Sequence, residues 1–117
     1  MRVLLVDDEE ELVTALAERL SYRGIEADWS PSGNWALELA KETAYDVAVL
    51  DVKMPNISGI ELKKRLEKMR PDMKYIFLTG HGSEEDFRAG SAEASSYMVK
   101  PLDIDTLIAT MRQVVQP

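Results

Sequence analysis

Val47-Ala48-Val49-Leu50-Asp51-Val52-Lys53-Met54-Pro55 begins with a continuous apolar run that stops at a carboxylate. An apolar run of this length is typical of a parallel strand that is covered by helices on both faces. Polar residues follow three other apolar runs in the same way. They are Asp7 and Asp8 after residues 3–6, Thr79 after residues 75–78, and Lys100-Pro101 after residues 97–99.

Apolar residues recur at helical spacing between these runs, whereas residues 25–29 alternate between apolar and polar, as in an edge strand. The helical stripes are Leu12, Leu16 and Leu20 before Gly24; Ala36, Leu37 and Ala40; Leu62, Leu66 and Met69 before Pro71; and Ile104, Leu107, Ile108, Met111 and Val115 after Asp103, a candidate N-cap. The segment from Ser83 to Ser96 specifies its helix weakly, because Phe87 is its only large apolar residue and Gly90 interrupts it.

This order of elements predicts an α/β fold with five strands and five helices. We expect a single doubly wound parallel sheet, flavodoxin-like, with strand order 2-1-3-4-5. In that order the first and third strands are neighbours, which brings Asp7 and Asp8 beside Asp51. Residues 1–117 are predicted to form one domain, with no effector domain among them.

The acids at this edge of the sheet have two interpretations. Residues 7–11 could be a solvated helix start that faces the positive end of the helix dipole, an account that suits Glu10 and Glu11. Asp7 and Asp8 differ because they directly follow a buried strand. Two carboxylates about 4 Å apart repel by roughly 4 kcal/mol at an effective dielectric constant of about 20, and a divalent cation offsets that repulsion. Ligands that are all oxygens favour Mg²⁺.

Composition excludes several functions. The 14 basic and 21 acidic residues give a net charge of −7 and a pI near 4.7, so the chain is not expected to bind nucleic acid directly. Cysteine is absent, which excludes disulfides and thiolate metal sites. No signal peptide or membrane span is recognised, and the cytoplasm is the expected location. Trp29, Trp35 and the methionines are interpreted as packing residues.

Four strings in this order resemble the receiver domains of two-component response regulators. They are Val6-Asp7-Asp8-Glu9, Leu50-Asp51-Val52-Lys53-Met54-Pro55 followed by Ser58-Gly59, Leu78-Thr79-Gly80-His81-Gly82, and Tyr97-Met98-Val99-Lys100-Pro101. The resemblance extends from Arg2 to about Val115. The string around Thr79 is similar to that of receivers joined to activators of the nitrogen-regulation kind.

The resemblance implies that Asp51 accepts a phosphoryl group with the help of Mg²⁺. Asp8 would bind the metal directly, Asp7 through water, Asp51 through a carboxylate oxygen and Lys53 through its backbone carbonyl. This chemistry makes the domain a signalling switch that catalyses only its own phosphorylation and dephosphorylation.

Other residues have roles implied by the same resemblance. Lys100 would contact the phosphoryl group, with the Lys100-Pro101 peptide bond in the cis form. Thr79 would also contact it and would act as a switch together with Tyr97. Lys53 and His81 would flank the path of the attacking water and tune the rate of dephosphorylation.

The implied partners are a sensor histidine kinase or a histidine phosphotransfer protein. Output would pass through the fourth helix, the fifth strand and the fifth helix to an effector domain or to a second copy of the chain.

Three alternative functions agree less well with the sequence than a receiver does. A haloacid-dehalogenase-type phosphatase requires a second Asp where Lys53 stands, and a flavodoxin-type electron carrier requires a Ser/Thr-rich loop that is missing. The third, a receiver-like module that is never phosphorylated, is disfavoured by the presence of Asp8, Asp51, Thr79 and Lys100.

Overall fold

The computed structural model describes residues 1–80 and 96–116, which form five strands and four helices. In chain order they are β1 (Arg2–Val6), α1 (Glu10–Tyr22), β2 (Glu26–Ser30), α2 (Gly33–Glu42), β3 (Val47–Asp51), α3 (Gly59–Met69), β4 (Lys74–Thr79), β5 (Ser96–Val99) and α4 (Ile104–Val115). The helix predicted over residues 83–96 lies outside the described residues, apart from Ser96, which begins β5. Within the described ranges, no helix combines the length and the apolar character needed to cross a bilayer.

The five strands form one parallel sheet in the order β2-β1-β3-β4-β5, which confirms the predicted fold class and strand order. Val6 at the end of β1 pairs with Leu50, and Asp51 at the end of β3 pairs with Leu78. The residues that follow β1, β3 and β4 therefore emerge side by side. As predicted from its alternating sequence, β2 is an edge strand and is only partly buried.

Successive residues of a strand point to opposite faces, and both faces of this sheet are covered. One face packs against α2 and α3 and includes Leu4, Val6, Ala48, Leu50 and Phe77. The other packs against α1 and α4 and includes Val3, Leu5, Val47, Val49 and Ile76. Burial on both faces is the reason that β1 and β3 read as uninterrupted apolar runs.

Side-chain caps define where three of the helices begin. Ser32, Ser58 and Asp103 each accept a hydrogen bond from the backbone N–H three residues further on, at 3.1, 3.2 and 2.9 Å respectively. The N-cap prediction for Asp103 is thus confirmed. The hydroxyl and the N–H of Thr106 both donate to the Asp103 carboxylate, and these bonds lower the pKa of Asp103 below its ordinary value. At the end of α1, Gly24 adopts a φ of 76°, the conformation for which glycine is favoured.

The interpretation of Trp35 as a packing residue is wrong, since 53% of its surface is exposed. The buried stripe of α2 consists of the small residues Gly33, Ala36 and Ala40. One residue along a helix corresponds to a rotation of about 100°, so Trp35 points away from that stripe. Trp29, in contrast, is partly buried against the core formed with α1 and α4.

The first residue of helix α3 is in direct contact with the backbone of Asp51 and Val52. The Gly59 N–H donates to the Val52 carbonyl at 2.9 Å. A Cβ atom at position 59 would overlap the carbonyl oxygen of Asp51 and would lie 3.0 Å from Val52 Cα. Glycine is therefore required here by space, because neither contact is with a flexible side chain.

We expect Gly59→Ala to lower the free energy of unfolding by about 1–3 kcal/mol, the usual cost of forcing an extra carbon into a packed site. Urea denaturation followed by circular dichroism measures the change. Lys68→Ala, at an exposed position of the same helix, is the control and should change stability by no more than about 0.5 kcal/mol. Equal stability of the two variants would contradict the close approach.

Candidate functional site

Three carboxylates meet at the edge of the sheet where the strands end. Asp7 follows β1 and is buried, Asp8 is exposed, and Asp51 is the last residue of β3 and is 5% exposed. One oxygen from each lies within 4.8 Å of the other two. The structure thus brings together the three acids that the strand order predicts to be neighbours.

Lys100, the residue that follows β5, extends its side chain into the same cluster. Its ammonium nitrogen lies 2.7 Å from Asp7 Oδ2, 2.8 Å from Glu9 Oε1 and 3.7 Å from Asp51 Oδ2. The peptide bond between Lys100 and Pro101 is cis. A single ammonium therefore faces several carboxylates at once.

Thr79 ends β4, the strand next to that of Asp51. The side chain is buried, and its hydroxyl donates to the Met98 carbonyl across a long distance of 3.4 Å. Tyr97 lies in β5 and is 52% exposed. The Lys53 N–H is 3.4 Å from Asp51 Oδ1. His81 lies outside the described residues.

The cluster raises the pKa of both Asp51 and Lys100, but for different causes. Burial, followed by the negative charge of Asp7 and a smaller effect of Asp8, raises the pKa of the Asp51 carboxyl to about 7, although Lys100 and the Lys53 N–H act against this rise. Burial alone would lower the pKa of Lys100. The hydrogen bonds and charges of the facing carboxylates outweigh burial and raise it above the ordinary value. One ammonium is thus too little positive charge to keep Asp51 fully ionised at neutral pH.

The donor set fits a hard divalent cation. Asp7 Oδ2 is buried and lies 2.7 Å from the Lys100 ammonium, which also faces Glu9 and Asp51. A buried carboxylate that shares one ammonium with two other carboxylates is short of positive charge. Carboxylate, carbonyl and water oxygens are the ligands that Mg²⁺ and Ca²⁺ prefer. The acidic pocket can therefore hold such an ion.

The sequence did not predict the position of Glu9. Its N–H donates to Asp7 Oδ1 at 2.9 Å, and its carboxylate accepts from Lys100. The sequence does show that Glu9 directly follows the Asp pair, at the same edge of the predicted sheet as Lys100. A contact between residues 91 positions apart requires the sheet to be known first.

The burial of Lys63 is a second feature that the sequence did not indicate. Only 6% of its side chain is exposed; its ammonium bonds Glu67 at 2.8 Å and lies 5.2 Å from the centre of the Tyr75 ring. The spacing of four residues between Lys63 and Glu67 was a usable sign of pairing, but not of burial. This lysine lies away from the acidic cluster and supports the packing of α3 on β4.

Comparison with protein families identifies the chain's relatives. The model of the response regulator receiver domain matches residues 3–112. The chain belongs to the response regulator receiver family. Receiver domains of this family are signalling switches in two-component systems, and the matches give no support to the phosphatase alternative.

Individual relatives agree with this assignment. The chain is 33% identical over 115 residues to an uncharacterised transcriptional regulatory protein of Bacillus subtilis, YkoG, covering 97% of this chain and 50% of that protein. A receiver domain from Clostridium thermocellum is 28% identical with a TM-score of 0.89, covering 97% of this chain and 93% of that one. The chain spans about half the length of the curated relatives it matches.

A third relative is a response regulator from Burkholderia pseudomallei whose crystal structure contains a phosphorylated aspartic acid, a calcium ion and citrate. It is 26% identical with a TM-score of 0.86, and the alignment covers 97% of this chain and 68% of that one. At this level of similarity the two chains share the receiver fold over almost the whole of the present sequence.

The raised pKa of Asp51 predicts a particular dependence of stability on pH in the metal-free protein. The folded state holds the Asp51 proton more tightly than the unfolded chain does, so the unfolding free energy should fall as pH rises from about 4 to 7. We expect Asp51→Asn to remove roughly 1–2 kcal/mol of this decrease, since solvent screening reduces the full value of the shift.

Urea unfolding in the presence of a chelator, at several pH values, measures this difference between the two proteins. Asp72→Asn, which removes an exposed carboxyl in the turn before β4, is the matched control and should leave the decrease in place. Parallel pH profiles for the wild type and Asp51→Asn would show that Asp51 has no raised pKa.

Proposed function

We propose that Asp51 is the phosphoacceptor of this receiver, and that it takes the phosphoryl group from the phosphohistidine of a sensor kinase or of a histidine phosphotransfer protein in the cytoplasm. The observation that carries the proposal is the position of Asp51 between two other carboxylates, within 4.8 Å, and the Lys100 ammonium, at 3.7 Å. The phosphorylated aspartic acid in the Burkholderia relative supports the same assignment.

The proposed reaction has two steps. An Asp51 carboxylate oxygen attacks phosphorus while the P–N bond to the donor imidazole breaks, and the bonding electron pair returns to the imidazole nitrogen. The product is an acyl phosphate. Water later attacks the same phosphorus, the P–O bond to Asp51 breaks, and inorganic phosphate leaves. In the first step the ring carries or takes up a proton, so that the donor leaves as neutral imidazole. In the second step the protons of water leave on the phosphate or pass to solvent, and Asp51 returns to a free carboxylate. Neither step changes an oxidation state, so no oxidant or reductant is needed.

We further propose that the acidic pocket binds Mg²⁺. Asp8 and Asp51 would be direct ligands, together with the Lys53 carbonyl, and Asp7 would act through water. When bound, Mg²⁺ supplies positive charge that offsets the repulsion among the carboxylates and the charge on the phosphoryl oxygens. The buried Asp7 carboxylate, which shares a single ammonium with Glu9 and Asp51, supports this assignment, as does the calcium ion in the Burkholderia relative.

In this proposal Lys100 and Thr79 receive the phosphoryl oxygens. Lys100 offers a permanent positive charge, and Thr79 can exchange its long bond to the Met98 carbonyl at little cost, since a hydrogen bond of 3.4 Å is weak. Tyr97 would turn as Thr79 moves, so the two residues would form the switch. Lys53, and His81 outside the described residues, would tune dephosphorylation.

Output is proposed to pass through the surface made by the helix predicted over residues 83–96, β5 and α4. On this surface β5 presents Tyr97 and Val99, which are 52% and 48% exposed. Exposed apolar side chains of this kind favour contact with another protein surface. Residues 1–117 would form the receiver module, and its partner would be an effector domain or a second copy of the chain.

Acetyl phosphate with Mg²⁺ should add one phosphoryl group to the protein, because Asp51 is the carboxylate placed to attack phosphorus. Intact-mass spectrometry measures the addition. Asp51→Asn should show none, and the exposed Asp72→Asn should be modified like the wild type. Equal labelling of Asp51→Asn and the wild type would refute the assignment.

Asp8→Ala should weaken Mg²⁺ binding by at least about tenfold, since it removes a ligand, as measured by calorimetric titration. The same change relieves repulsion among the carboxylates, so the metal-free stability should stay level or rise. Glu10→Ala, an exposed acid in the first turn of α1, is the control for net charge and should leave binding nearly unchanged. A large loss of metal-free stability in Asp8→Ala would indicate a structural role instead.

A further inference from the structure

Glu9 occupies the N-cap position of α1 but does not cap the helix. Its carbonyl accepts the first helical hydrogen bond, from the Val13 N–H at 3.1 Å, while its side chain makes no capping bond. The side chain extends instead to Lys100, where Oε1 lies 2.8 Å from the ammonium nitrogen. The β1–α1 loop is thus joined to the residue that follows β5.

This contact helps to determine where the Lys100 ammonium lies. Charge-assisted N–H···O bonds measure about 2.7–2.9 Å, and the contacts with Asp7 and Glu9 fall in that range. The distance to Asp51 Oδ2, 3.7 Å, is too long for such a bond. Two closer carboxylates on the β1–α1 loop therefore hold the ammonium away from Asp51.

The two closer carboxylates are not equivalent. The Asp7 side chain is 2% exposed, whereas that of Glu9 is 63% exposed. An ion pair with so exposed a partner is weak and easily exchanged, because water screens the attraction and the side chain regains its freedom when released. Glu9 is thus the partner that Lys100 can give up.

Building on the proposed function, we propose that Glu9 is a positioning residue for Lys100. In the resting protein it holds the ammonium on the side of the β1–α1 loop, and in the phosphorylated protein it yields the ammonium to the phosphoryl oxygens. Asp7 keeps its contact in both states. The Glu9 contact therefore lowers the affinity of Asp51 for a phosphoryl group, and its removal should raise that affinity.

Through-space repulsion between the Glu9 carboxylate and an anion at Asp51 would change the affinity in the same direction, without the participation of Lys100. The two accounts differ in a background that lacks the ammonium: through-space repulsion persists in Lys100→Met, whereas competition for Lys100 disappears there.

The test measures the affinity of the wild type, Glu9→Gln and Glu10→Gln for beryllofluoride, a phosphoryl mimic, at saturating Mg²⁺ by calorimetric titration. We expect Glu9→Gln to bind about two- to fivefold more tightly than the wild type, the range set by an exposed ion pair. Glu10→Gln makes the same change of charge one residue further on, and Glu10 is not a partner of Lys100. Its affinity should stay near that of the wild type.

Three results of this titration would overturn the inference. They are an unchanged or weaker affinity of Glu9→Gln, an equal gain in Glu10→Gln, and a gain from Glu9→Gln that persists undiminished in the Lys100→Met background. Failure of the wild type to bind beryllofluoride at all would overturn the proposed function itself, and is thus distinguishable from failure of the inference alone.

A metal-free measurement keeps the inference testable even if Lys100→Met binds no mimic. A double-mutant cycle of Glu9→Gln and Lys100→Met should show coupling of about two- to fivefold in the unfolding equilibrium constant, measured with urea and a chelator. This coupling should shrink in about 0.5 M KCl, since salt screens an exposed pair. No coupling at low salt would show that the 2.8 Å contact does not hold Lys100.

Discussion

The repulsion among Asp7, Asp8 and Asp51 is the constraint on which the site depends. Parallel pairing of β1 with β3 brings these acids together, and the buried strands leave them little freedom to move apart. Lys100 offsets the repulsion only in part, so the pKa of Asp51 rises to about 7. The free energy of folding, gained mainly by burying the apolar strands, thus maintains a pocket that needs further positive charge.

Most of the fold could be predicted because the strands and helices differ clearly in pattern. β1, β3 and β4 read as continuous apolar runs since both faces are covered, and β2 alternates because it is an edge. The neighbours among the site residues followed from strand order alone. Asp7, Asp8, Asp51, Thr79 and Lys100 lie at the ends of strands, and a parallel sheet gathers those ends on one side.

The remainder depends on side-chain geometry that periodicity does not encode. The contact between Glu9 and Lys100 depends on the conformations of two loops, and loop sequences have no periodicity from which a conformation can be predicted. Periodicity did not indicate the burial of Lys63, where Glu67 and the Tyr75 ring provide the partners that offset the cost of burying an ammonium. The packing prediction for Trp35 is wrong because the small residues of α2 already fill the contact with the sheet.

The close approach of Gly59 to Asp51 gives the site a stiff side and a compliant side. Helix α3 lies against the backbone behind Asp51, with no space for even one additional carbon atom. At the end of β4, Thr79 is linked to the segment of β5 by its long hydroxyl bond to the Met98 carbonyl and by the Lys100 N–H, which donates to the Thr79 carbonyl at 2.9 Å. The backbone of Asp51 is thus fixed by α3, whereas the Thr79 hydroxyl is held by a single long bond. If a group is added at Asp51, as proposed, the Thr79 side chain can reorient at less cost than the Asp51 backbone can move.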